Sequence, residues 1–189
     1  MPSLRFNLLK AAIAVLPGVF GAGVFGAGVF GAGVFGADPV QAVDRQDVLE
    51  QMRNSRPSDL QILIEKPDAG GNMIIGIFSI KTGGRDSELR QYKIWEESPA
   101  DLNIYGESVD CSVSNPLRVK RTSTSVYVRT LNPGGPVTDT NREDHLVWWA
   151  ACVPETAGMD PATLRDKALS LGYSTLIPER QEQLPALAP

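Results

Sequence analysis

The stretch His145-Leu-Val-Trp-Trp-Ala-Ala-Cys152 decides how this chain is layered. As a strand it places Leu146, Trp148, Ala150 and Cys152 on one face and His145, Val147, Trp149 and Ala151 on the other, because strand side chains alternate. Tryptophans on both faces make it a central strand, or one covered on its second side. Trp148 then shares a face with Cys152, where it packs on a disulfide as such pairs do in sandwich domains.

Working outward, the stretch is entered through the polar run Thr138–Asp144 and, before that, Asn132-Pro-Gly-Gly-Pro136, a firm loop signal. Upstream of the loop, Ser125–Leu131 (SVYVRTL) alternates clearly, Leu117–Arg121 follows Asn115-Pro116, and Glu107–Ser112 carries the first cysteine. Three further strand-like runs, Leu60–Glu65, Met73–Ile80 and Leu89–Trp95, are separated by Gly/Asp/Asn clusters of hairpin-turn type. They predict a meander. Ahead of them Asp44–Asn54 reads as a short helix, with Asp44 as cap, Val48, Leu49 and Met52 on one apolar face, and Asn54-Ser-Arg-Pro57 as its stop.

Downstream, Met159–Gly172 carries a full set of helix boundary signals. Asp160 stands at the N-cap, Pro161 in the first turn and Gly172 just past the end, with Leu164, Ala168 and Leu171 on one stripe. Tyr173–Ile177 suggests a short edge strand. Residues 178–189 (PERQEQLPALAP) have no periodicity and read as a flexible tail. The expected fold is α+β: one small domain over residues 43–177, with a mostly antiparallel sheet arranged as a meander, a partly open barrel or a sandwich-like pair, a short N-terminal helix and a C-terminal helix.

The first 42 residues read differently. Arg5 and Lys10 make a positive start, an apolar middle follows, and GVFGA occurs four times without substitution between Gly18 and Ala37. Val40-Gln41-Ala42 is a small-x-small exit, so the segment has the three parts of a secretory signal cleaved after Ala42. Without three of its repeat units the leader has an ordinary signal's length, which marks the repeat as a tandem expansion. The rival is a retained membrane helix, since the apolar run reaches spanning length. Against it, Pro17 interrupts the run, glycine contributes little transfer energy, and a five-residue period gives the glycines no single helical face. Arg5 stands alone, so the general secretory route is expected rather than the twin-arginine one. The destination is the periplasm or the cell exterior, and membrane attachment follows only if the leader is retained.

Composition fits an exported domain. The whole chain carries 18 Lys+Arg against 22 Asp+Glu, a net charge of −4. Removing Arg5, Lys10 and Asp38 with the leader makes it −5. That balance excludes a nucleic-acid partner that would require a basic stripe. The 2 cysteines, Cys111 and Cys152, form an even count in an oxidising compartment and are expected to pair.

No motif specifies a reaction, a cofactor or a ligand. His145 is the only histidine. Asp139-x-Asn141-x-Glu143-Asp144 before it faintly resembles a calcium loop, but Asp144 and Ala150 occupy the positions where that loop needs a glycine and a bidentate carboxylate. A zinc set of Cys111, His145 and Cys152 conflicts with the expected disulfide. A hydrolase would use His145 with Asp144 or Glu143, yet no nucleophile elbow is present. Arg118, Lys120, Arg121 and Arg129, near Tyr127, gather positive charge on neighbouring strands. Together with His145 and Asp144 they form the candidate surface for an acidic partner or an anionic glycan, unless the charges merely guard a sheet edge. Trp95, Trp148 and Trp149 with Tyr92 and Tyr105 make either a ligand platform or core. The functional expectation is a non-enzymatic binding or accessory module, with the hydrolase and a membrane-tethered envelope protein as alternatives.

Overall fold

A computed structural model describes residues 44–84 and 88–186. The leader, its repeat and the exit after Ala42 lie outside the described residues. Among those described, no helix is long and apolar enough to cross a membrane.

The described residues form one open sheet of seven antiparallel strands, each paired with its neighbours in sequence, and not the partly open barrel or sandwich also expected. The order is β1 (Gln61–Asp68), β2 (Gly71–Thr82), β3 (Leu89–Glu97), β4 (Leu102–Asp110), β5 (Leu117–Arg121), β6 (Ser125–Thr130) and β7 (Arg180–Pro185). The expected meander is therefore present and extends across the whole sheet. Asp68 pairs with Gly71, so Ala69-Gly70 is a two-residue hairpin loop, and Gly70 supplies the positive φ of 87° that such a turn needs. Strand β1 is an edge, blunted by Pro67 and by a register shift between Ile62 and Ile64.

Strand alternation sends Ile75, Ile77, Tyr92, Ile94 and Val109 to one face, called inner here. Helix α2 (Arg142–Cys152) lies on that face with the segment that follows it. Leu146, Val147, Trp148, Trp149, Ala150 and Ala151 join Leu164, Ala168 and Tyr173 in a single core. Here the structure departs from the strand reading of His145–Cys152. A run that is apolar all round has no period to separate a buried strand from a buried helix. It is a helix because the sheet covers one side and residues 153–173 cover the other. Trp148 meets Trp149 and Tyr173 edge to face, at centroid distances of 5.3 and 5.1 Å, and its Nε1 donates to the Asp110 carbonyl at 3.0 Å. Glu143 and Asp144, expected in a loop, occupy the first helical turn, where negative charge suits the helix dipole.

Three smaller corrections concern the C-terminal third. The expected helix over Met159–Gly172 is divided into a 3-10 turn, Pro161–Thr163, and a short helix α3, Arg165–Ser170. Its boundary signals stand: Asp160 accepts from the Ala162 amide at 3.0 Å, and Gly172 has a φ of 92°. The division falls at Leu164, whose side chain is buried in the core. Tyr173–Ile177 is not a strand, since Tyr173 turns into the core and the Thr175 carbonyl accepts from Asn132. Arg180–Pro185, expected in a flexible tail, is strand β7, paired with β6 from Ser125↔Pro185 to Thr130↔Arg180. Its side chains are exposed throughout, so backbone pairing rather than burial fixes it.

The sulfurs of Cys111 and Cys152 are 2.04 Å apart, at disulfide distance, and tie the end of β4 to the end of α2. On the outer face, helix α1 (Arg45–Asn54) sets Leu49 on Phe78, Trp95 and Leu102, with Leu60 beside them. Asp44 caps α1 by accepting from the Gln46 amide at 3.0 Å, but Val48 and Met52, each 38% exposed, lie outside the buried cluster.

Candidate functional site

The residues expected as a partner surface converge on the inner face beside the start of α2. Arg118 and Lys120 on β5 point inward with Arg129 on β6, because Arg118 pairs with Arg129 in register and the alternate residues share a face. Arg118 is only 1% exposed. Its Nε donates to Glu107 Oε2 at 2.8 Å, and its Nη1 donates to Asp144 Oδ1 at 2.8 Å and Glu143 Oε1 at 3.3 Å. Tyr92 Oη donates to the same Glu107 oxygen at 3.1 Å. Lys120 reaches Glu143 at 3.1 Å, and Arg129 reaches Asp144 Oδ2 at 3.2 Å. A cavity of about 210 Å³ lies among Arg118, Lys120, Tyr127, Arg129, Asp144 and Gln181. Strands β5 and β6 are interior to the sheet, so these charges do not guard an edge.

His145 is fully buried, and its Nε2 faces Glu179 Oε1 at 2.6 Å. Glu179 also accepts from the Asn132 amide at 3.0 Å and from Asn141 Nδ2 at 2.9 Å. Sequence reasoning missed Glu179, which sits in the segment expected as a tail, and Glu107, the buried partner of Arg118. The charges in this cluster are matched by opposite charges, and its main mechanical effect is to clamp the first turn of α2, and the approach to β7, onto the sheet.

Burial works against the Arg118 charge, but Tyr92, Glu107 and Asp144 outweigh it and hold its pKa above the ordinary arginine value. Burial likewise pushes the Glu179 carboxyl up. Hydrogen bonds from His145, Asn141 and the Asn132 amide outweigh that, so its pKa is lowered. Glu143 is lowered too, since Lys120 and Arg118 overcome its burial. A carboxylate with a depressed folded pKa contributes stability above its unfolded value and loses it as pH falls through the folded one. Unfolding free energy measured in urea is therefore expected to decline below about pH 4, and less steeply in a Glu179→Gln variant. Equal acid sensitivity in the two proteins would contradict a stabilising clamp at Glu179.

The residues of the zinc and calcium-like arrangements weighed from the sequence are otherwise engaged. The paired sulfurs leave no thiolates for a zinc set with His145. Among the described residues no group of three His, Cys, Asp or Glu is placed to hold a metal. Asn141 and Glu143 of the calcium-like run are engaged with Thr138, Glu179, Arg118 and Lys120. Trp95, Trp148 and Trp149 are buried and serve as core, not as a platform.

The outer face offers a different site. Among the described residues, helix α1 covers its Trp95–Leu102 half. The other half is a groove of about 620 Å³ running across β2 to β5. Register builds it in rows: Lys81, Gln91, Ser108 and Val119 lie side by side on four successive strands, and Phe78, Lys93 and Gly106 form the next row. Glu107 pairs with Lys120, so one step further Arg121 stands beside Gly106. Lys81, Lys93 and Arg121 are exposed, line the groove, and have no ion-pair partner among the described residues. The ammonium of Lys93 lies 5.9 Å from the Phe78 ring centroid. Glu107 also borders the groove, but its carboxylate is turned inward to Arg118. At the rim Ser79 has a φ of 55°, the one positive value outside glycine among the described residues, where β2 shifts register between Phe78 and Lys81. A non-glycine residue held in that region stores strain, which recurs at binding sites. Of the groove's cations only Arg121 was singled out from the sequence. Lys81 and Lys93 lie on the two strands of one hairpin, β2 and β3, and the register shift in β2 puts them on a common face.

No protein-family model, curated protein or solved structure matches this chain.

Proposed function

We propose that the chain is an exported binding module of the cell envelope or periplasm, not an enzyme, and that its working surface is the open half of the outer sheet face. The observation that carries this reading is the groove across β2 to β5. It is of a size typical for ligand sites, it is preformed by a hydrogen-bonded sheet, and three exposed cations line it with no carboxylate partner among the described residues. The inner cluster supports the same division of labour, since its charges are matched internally and hold the scaffold together. The hydrolase alternative is disfavoured by the surroundings of its proposed base. His145 is buried, it is engaged by Glu179, and among the described residues no hydroxyl is hydrogen-bonded to it.

Export and binding are tested separately. N-terminal sequencing of the protein isolated from its own cells is expected to begin at Val43. A start at Met1 would replace the cleaved signal with a retained anchor. For binding, backbone-amide NMR shifts are followed while short neutral, acidic and basic oligosaccharides and peptides are titrated in. Perturbations are expected on outer-face residues of β2 to β5. Perturbations gathered around Arg118, Arg129 and Asp144 would move the site to the inner cavity.

A further inference from the structure

Resting on the outer face as the binding surface, we propose that its ligand is an acidic oligosaccharide, held through carboxylates that straddle Gly106. Lys93 on β3 and Arg121 on β5 flank that glycine on β4. Strands lie about 4.8 Å apart, so the two cations rise from backbone positions about 10 Å apart, with Lys81 one row away. The chain as a whole is acidic, with a net charge of −4, so three cations facing one groove concentrate positive potential against the overall sign.

The floor fits a ring that settles on bare backbone. A Cβ built on Gly106 would meet only the Tyr92 carbonyl oxygen, at 3.9 Å, so the space above the glycine is open. Ser79, Gln91 and Ser108 offer hydroxyl and amide groups around it, which suit the hydroxyls of a sugar.

The same geometry disfavours an acidic peptide. Extended peptides gain affinity by adding backbone hydrogen bonds to a free sheet edge. The groove lies over β3 and β4, each already paired on both sides, so a peptide backbone would find no ladder there. Single-stranded nucleic acid would need exposed aromatic side chains for stacking, whereas Phe78, Tyr92 and Trp95 are all buried.

Calorimetric titration of the mature protein at low salt tests this, with trigalacturonate, maltotriose and an acidic hexapeptide as probes. Trigalacturonate is expected to bind and maltotriose not to. Lys93→Gln and Arg121→Gln should each raise the Kd by roughly tenfold or more, the usual loss of a charge-assisted hydrogen bond. Gly106→Phe should abolish binding while thermal unfolding stays close to that of the parent. If the hexapeptide binds, trigalacturonate does not, and Gly106→Phe blocks the peptide, the ligand class is overturned while the outer-face site stands. If trigalacturonate binds equally to the parent and all three variants, both the ligand class and the site are overturned. Failure of trigalacturonate to bind at all overturns the ligand class.

Discussion

Replacing Arg118 with Met is expected to lower the unfolding free energy by about 3–5 kcal/mol, the usual consequence of removing one partner from a buried ion pair. The Glu107 side chain is 0% exposed, and Arg118 Nε is its 2.8 Å partner. Without the guanidinium, Glu107 would be a buried carboxylate with only the Tyr92 hydroxyl to bond, and Asp144 would keep only the cations nearer solvent. The penalty is the stranded charge rather than the net worth of the pair. A second change, Glu107→Gln, should therefore recover part of the loss. Urea unfolding followed by tryptophan fluorescence measures both variants. A loss under about 1 kcal/mol for Arg118→Met would be that of a solvated pair, and would mean that α2 does not seal this face.

Converting Cys111 and Cys152 together to Ser is expected to lower stability by about 4 kcal/mol in the chain-entropy model, given a sequence separation of 41. That is a large share of the roughly 5–15 kcal/mol available to a domain. The staple holds α2 at its last residue, and the Arg118 cluster holds it at its first turn. Ten residues of helix separate the two ends by about 15 Å, far enough for the effects to add within about 0.5 kcal/mol. The triple variant is expected to lose about 7–9 kcal/mol relative to the parent, the sum of the two separate losses. Near-parent stability of the double serine variant would mean the cross-link constrains little.

The order of strands was legible because the turns announce themselves. Asp68-Ala-Gly-Gly and Thr82-Gly-Gly interrupt apolar alternation, and the sheet joins each strand to the next in sequence. The layering was not legible in His145–Cys152. Those residues are buried all round, so the hydrophobic pattern that separates periods of 2 and 3.6 is missing. Strand β7 gave no signal because its side chains bury nothing. Arg118, Lys120, Arg129, Asp144 and His145 were picked out by charge and chemistry, and they do gather in space. Which carboxylates face them depended on long-range register. Glu107 approaches Arg118 across the β4–β5 pair, and Glu179 returns to His145 from 34 residues away. The groove was illegible for the same reason: Lys81, Lys93 and Gly106 acquire a common face only through the pairing of three strands.

The central claim, that the open outer face is the binding surface, is tested most directly by lysine labelling read by mass spectrometry, with and without trigalacturonate. Protection of Lys93 and Lys81 is predicted, with Lys66, Lys120 and Lys167 labelled as before. Protection of Lys120 on the inner face, with Lys93 and Lys81 still fully reactive, would contradict it.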